Sequence, residues 1–194
     1  MSCCIATVNQ WIMIVSRVPI FDSHYLFPLS AVEHLFRTTT LDVSRYAVEL
    51  VGSIAASFAS SDEKTRAFAA QTFSSVITKT SDSSISQSLL DALVAVLDGK
   101  SGKLTHPEHR VNLFSCFPAF ISAPLSTANK NQLVSGIVDK LLSASKNESH
   151  EPTAIAALEL IGELLRPVAI FPPNLKAFFK VNTACFIYDF LGLI

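Results

Sequence analysis

The densest group of residues able to do chemistry lies between Gly99 and Cys116. Gly99-Lys100-Ser101-Gly102-Lys103-Leu104-Thr105 has the glycines, lysines and hydroxyls of a phosphate loop. A phosphate loop needs a further glycine five positions earlier, where Val94 stands, and it follows a strand, whereas the pattern here is helical. The segment therefore reads as a loop between helices. His106, Glu108 and His109 come next, with Cys116 beyond them. A helical zinc protease spaces its histidines by four, as in H-E-x-x-H. These are three apart, so a helix N-terminus is the better reading and no metal or cofactor site is assigned. What remains is charge: Lys100, Lys103 and Arg110, with His106 and His109 nearby, form the best small basic patch of the chain. Cations on a loop edge are suited to contacting RNA phosphates.

No other group makes a site. Cys3, Cys4, Cys116 and Cys185 contain no C-x-x-C pair and read as reduced thiols. His24, His34 and His150 have no partners that suggest catalysis, and no catalytic residue is assigned. Asn147-Glu148-Ser149 matches a glycosylation sequon, which has no meaning without a secretory signal. Phe68, Phe73, Phe114, Phe117 and Phe120 lie on the same stripes as valine and isoleucine. They belong to a core rather than to a base-stacking platform, which would need interleaved basic residues.

These residues sit in a chain that must be helical. Of its 194 residues 49% are hydrophobic and 16% charged, with a mean hydropathy of +0.41. That is too apolar for disorder. A membrane span needs roughly 20 apolar residues in a row, and the apolar runs are broken by Asn9, Gln10, Ser16 and Arg17, then by Asn182, Thr183 and Asp189. The first positive side chain is Arg17, so a secretory n-region is missing. The expectation is a soluble cytoplasmic chain with no membrane partner. A net charge of −1 provides no global field for nucleic acid.

Apolar stripes at spacings of three and four run through Ile85, Leu89, Leu93 and Val96, and through Leu133, Ile137 and Leu141. Others run through Ala69, Phe73, Val76 and Ile77, and through Ile155, Leu158, Ile161 and Leu165. Helices are predicted over roughly 5–18, 28–38, 41–59, 62–79, 84–98, 105–122, 129–145, 151–166 and 173–190. Thr105 with Glu108, and Ser60 with Glu63, look like capping boxes. Gly99 and Pro167 are stops, and Pro118 predicts a kink.

The starts recur. First helices begin near 41, 84, 129 and 173, and second helices near 62, 105 and 151, a period of about 43–46 residues. That is the period of HEAT and armadillo repeats, so the fold class is all-α, a HEAT/armadillo-like α-solenoid of antiparallel helix pairs. The apolar end from Cys185 to Ile194, where a polar cap is usual, reads as a piece of a longer array whose ends drive association.

Thr40-Leu41-Asp42-Val43-Ser44-Arg45-Tyr46-Ala47, Ser81-Asp82-Ser83-Ser84, the run from Leu97 to Thr105, and Ser135-Gly136-Ile137-Val138 carry a resemblance. They resemble the N-terminal HEAT region of the general control non-derepressible protein one family. The likeness covers roughly residues 28–180. Residues 1–27, part of a truncated first repeat, and the apolar tail at 181–194 depart from it. The resemblance implies a ribosome-associated activator of the kinase that phosphorylates initiation factor 2 alpha in amino-acid starvation. It implies a ribosome partner through ribosomal RNA or protein. The kinase and an ATP-binding-cassette partner would bind segments C-terminal to the matched region. The expectation is a non-catalytic scaffold with no small-molecule substrate. A generic HEAT adaptor is the alternative, and a small helical enzyme has only five histidines and some carboxylates in its favour.

Overall fold

The computed structural model describes residues 33–38, 40, 42–99, 104 and 106–166, without the side chains of Ser53 and Glu108. Among them, residues 33–38 are helical and seven further helices follow: α1 (Ser44–Ser57), α2 (Glu63–Thr78), α3 (Ser83–Leu97), α4 (Pro107–Phe114), α5 (Ala119–Ser122), α6 (Thr127–Asn147) and α7 (Glu151–Leu165). No strand occurs among the described residues.

Packing follows the period. α1 touches α3, and α3 touches α6, forming a layer of first helices. α2 touches α4 and α5, and α4 touches α7, forming a layer of second helices. Within a pair, α1 packs on α2 and α6 on α7. The second helices begin at residues 63, 107 and 151, forty-four apart, while the first helices begin at 44, 83 and 127. The chain is an all-α solenoid of stacked helix pairs. The turns from a first helix to its second helix share one edge, and the N-termini of the first helices share the other.

Between the layers lies one continuous core. Leu50, Ile54, Phe58, Phe73, Ile77, Leu89, Leu93, Leu113, Phe117, Phe120, Ile137, Leu141 and Leu164 are all essentially sealed from water. Phe58 of the α1–α2 turn tilts against Phe73 of α2 at 6.3 Å between ring centres. The phenylalanines of the sequence stripes are therefore core, with Phe68 alone only partly buried.

The helix boundaries differ in detail from expectation. Asp62, not Ser60, caps α2: its carboxylate accepts from the Thr65 amide at 2.9 Å, two positions later than the expected box. Ser60 instead accepts from the Asp62 amide at 3.2 Å. At α4 the cap position is His106, whose side chain makes no capping bond, and Pro107 takes the first helical position, where its missing N–H costs nothing. Thr105 lies outside the described residues. Pro118 does more than kink its helix: residues 115–118 form turns, and α5 starts anew after Pro118. A proline inside a helix removes one hydrogen bond and crowds the preceding turn, which suffices to break a chain already turning at Ser115. Gly99 ends α3 as expected, with a φ of 75° that favours glycine. α7 ends at Leu165, just before Pro167. The helices expected at 5–18 and 173–190, and the tail at 181–194, fall outside the described residues.

Leu93→Ala, in a fully buried position between both layers, is expected to lower unfolding stability by about 2–5 kcal/mol. Val48→Ser on the exposed side of α1 should change it by no more than about 0.5 kcal/mol. Urea titration of the two variants measures the contrast, and equal losses would contradict the layer assignment.

Candidate functional site

Two edges of the stack carry polar side chains in quantity, and they are built differently. On the edge of first-helix N-termini, Asp42 accepts from the Ser44 amide at 2.9 Å and from the Ser44 and Ser81 hydroxyls at 2.5 Å each. Ser44 Oγ in turn accepts from the amides of Ser81 and Asp82 at 3.1 and 3.3 Å. Asp82 repeats the motif one pair later, accepting from the Ser84 amide and hydroxyl and from the Ile85 amide. The Val43 amide donates to the Lys79 carbonyl at 3.0 Å, so backbone and side chains lock α1 to the α2–α3 turn. Each Asp-x-Ser satisfies amide groups that a helix start leaves open.

Charge states follow from these bonds. Burial pushes the Asp42 carboxyl up, but the donors from Ser44 and Ser81 together outweigh it and hold it below the ordinary 3.8. The Ser84 hydroxyl and amide and the Ile85 amide lower Asp82, against opposing pushes from desolvation and from Asp42. Thr65 lowers Asp62 in the same way.

On the opposite edge, arginines tie second helices to turns. Arg66 is buried in α2 and donates to the Ser60 and Ser61 carbonyls at 2.9 and 3.0 Å and to Asn112 of α4 at 3.2 Å. Arg110 occupies the equivalent position forty-four residues on. Its Nε lies 2.7 Å from Glu148 in the α6–α7 turn. The contact is off the N–H axis, so charge rather than an aligned hydrogen bond holds it. Glu148 also accepts from the His150 amide at 2.9 Å and so shapes the entry to α7. A groove of about 410 Å³ opens here, lined by Leu97, Asp98, Arg110, Lys140, Asn147 and Glu148 among others.

The expected basic patch is thus only partly in view. Lys100 and Lys103 lie outside the described residues. Arg110 is described, and its side chain is 24% exposed and bound to a carboxylate. His106 is exposed while His109 is buried, the two rings edge to face at 5.3 Å. A shared surface patch is therefore corrected for His109, which the helix turns inward. Among the described residues no group of histidine, cysteine and carboxylate side chains is placed to hold a metal ion. No helix among them is long and apolar enough to cross a membrane. Cys116 is fully buried, with its thiol donating to the Ala70 carbonyl at 3.6 Å and burial pushing it up to about 12. It is an unreactive thiol. Cys3, Cys4 and Cys185 are outside the described residues.

Sequence reasoning passed over the Arg66 clip, the Arg110–Glu148 pair and Lys140. The forty-four-residue separation of Arg66 and Arg110, matching the helix period, was the available signal.

Residues 27–104 match the N-terminal family of the stalled ribosome sensor GCN1. The chain is 28% identical to the human stalled ribosome sensor GCN1 over 134 residues, 69% of this chain and 5% of that protein. To the Mus musculus protein it is 26% identical over the same length. To the protein ILITYHIA of Arabidopsis thaliana it is 23% identical over 170 residues, 87% of this chain and 6% of the relative. No solved structure matches the chain significantly.

Because the folded values of Asp42, Asp62 and Asp82 are depressed, their stabilisation is complete above pH 3.8 and is lost as pH falls through the lower folded values. D42N/D82N keeps capping oxygens but removes those protons. Its urea midpoint should fall less than the parent's between pH 6 and 3, and an equal fall would assign the acid sensitivity elsewhere. Cys116 should resist iodoacetamide near pH 8 in the folded chain and react in urea, as read by peptide mass spectrometry. Alkylation at the same rate in both conditions would refute its burial. With its helices stacked at this period and its match over residues 27–104, the chain is GCN1-like, similar to the N-terminal region of that family.

Proposed function

We propose that this chain is a non-catalytic scaffold segment that associates with ribosomes in the cytoplasm, as part of a HEAT-type activator of the initiation factor 2 alpha kinase. The observation that carries the reading is the match of residues 27–104 to the stalled ribosome sensor GCN1 N-terminal family. The fold is compatible with it: a stack of helix pairs presents two long edges and two helix layers. The chain spans only 5–6% of the length of the relatives it matches, so kinase activation and any ATP-binding-cassette contact belong, in this reading, to other parts of such proteins.

Contact with the ribosome runs through Lys100, Lys103 and Arg110. Backbone phosphates are read by cations without regard to sequence, and such binding weakens steeply with salt. A general protein-binding adaptor is the second reading. It is favoured by Val111 and Ile155, both exposed and at equivalent positions of α4 and α7, which form a spaced apolar pair on the second-helix layer.

Co-sedimentation of the chain with purified ribosomes over a salt series tests the first reading. Salt-sensitive binding that drops at least several-fold in K100E/K103E is the expected result. No co-sedimentation at low salt by the folded chain would remove it and leave the adaptor.

A further inference from the structure

The stack has two joints, one between its first and second helix pairs and one between its second and third, and they are tied differently. The first joint is tied on both edges. Where α1 begins, Asp42 accepts from the Ser81 hydroxyl at 2.5 Å, and Ser44 Oγ accepts from the amides of Ser81 and Asp82. These groups belong to the link that enters α3, so the starts of α1 and α3 are bonded to each other. At the turn edge Arg66 Nε of α2 donates to Asn112 of α4 at 3.2 Å.

The second joint repeats the acceptor without the donor. Asp82 and Ser84 stand at the start of α3 as Asp42 and Ser44 stand at the start of α1. Asp82, however, accepts from Ser84 and Ile85 of its own helix. In the link that enters α6, the place of Ser81 is taken by Leu125, which has no hydroxyl and packs against the core. Its amide turns to the Ala123 carbonyl at 2.8 Å, Pro124 has no N–H, and Ser126 Oγ accepts from the Asn129 amide of its own helix. Among the described residues no hydrogen bond joins 82–84 to 123–126. At the turn edge the counterpart of Asn112 in α7 is Ala156, whose side chain cannot accept. There Arg110 and Glu148 hold the joint by charge, at 2.7 Å and off the N–H axis.

We infer that the joint between the second and third pairs is the hinge of this stack, closed at the turn edge by Arg110 and Glu148 and left to apolar contact where α3 and α6 begin. Apolar contact is non-directional and tolerates a small slide, whereas a hydrogen bond fixes both a distance and an angle. Sliding of packed helices is one of the ordinary ways in which a fold changes shape. α6 and α7 pack on each other and rock as one body about the turn edge, while the first two pairs move together. Curvature of the stack therefore changes chiefly at this joint, and a partner that spans it selects one curvature. The hinge is independent of what that partner is.

Spin-label pairs test it in the whole chain, introduced as unnatural amino acids so that the natural cysteines stay in place. Val48, Ser88 and Gln132 lie six residues past Asp42, Asp82 and Ser126, and all three are exposed. By electron paramagnetic resonance the 88/132 pair should give a broader distance distribution than the 48/88 pair. S81A should broaden 48/88 towards the width of 88/132 and leave 88/132 unchanged. E148Q keeps an acceptor for the His150 amide but removes the charge, and should broaden 88/132 alone. Circular dichroism melts show whether each variant is folded, and the two widths in the parent decide by themselves where one is not. Equal widths in the parent overturn the hinge. A folded S81A that leaves 48/88 unchanged overturns the role given to the serine bonds, and a folded E148Q that leaves 88/132 unchanged overturns the closure by Arg110 and Glu148.

Discussion

α3 packs against α1, α6 and α4. The residues it buries, Ser86, Leu89, Leu90, Leu93 and Val96, form a stripe too wide for a single partner helix to close. That is the constraint on which the architecture depends. One helix pair cannot hide its own apolar surface, so each pair must be covered by the next, and burial in this chain is a property of the stack. The same constraint accounts for the composition. Nearly half the residues are hydrophobic because every interior helix has apolar neighbours in more than one direction, and this requires no membrane.

Stacking fixes distance but not register, and the polar groups supply what it lacks. A helix layer can slide by a turn with little change in apolar contact, whereas the bonds from Ser81 to Asp42 and Ser44 exist at one register only. The buried Arg66 acts similarly on the other edge. Its guanidinium is removed from water, so its donors must be matched, and the Ser60 and Ser61 carbonyls with Asn112 do this across two pairs. Breaking one of these contacts costs more than the contact itself contributes, because a buried polar group is left behind.

The fold was legible because both its signals are local. Apolar spacing of three and four marks each helix, and the recurrence of starts marks the stack. Boundaries were less so. Ser60 and Asp62 are both good caps, two residues apart, and only the approach of the Thr65 amide decides between them. Pro118 announced a disturbance, yet its depth depended on the turn already forming at Ser115. At the candidate site, Arg110 looked like a surface cation because its partner Glu148 is thirty-eight residues away and arrives only when the next pair stacks. His109 was misjudged for a related reason: four residues of helix start do not show which side faces the core. Lys140 drew no notice because its helix reads as an ordinary amphipathic one until the turn edge is assembled.

The two edges therefore differ in kind, and the difference bears on where a partner can act. At the first-helix N-termini the donors and acceptors are spent on one another: Asp42 alone takes bonds from two serines, and Ser44 serves both as donor and as acceptor. A ligand there must break a complete network to gain a contact. At the turn edge Arg66 binds both its own turn and Asn112 of the next pair, and Arg110 pairs with Glu148 of the next turn. In sequence Lys100 and Lys103 fall between α3 and α4. Physical reasoning puts a partner where satisfying a new group does not require leaving an old one unsatisfied. By that criterion the turn edge, rather than the serine-locked edge, is the surface on which this stack can be read.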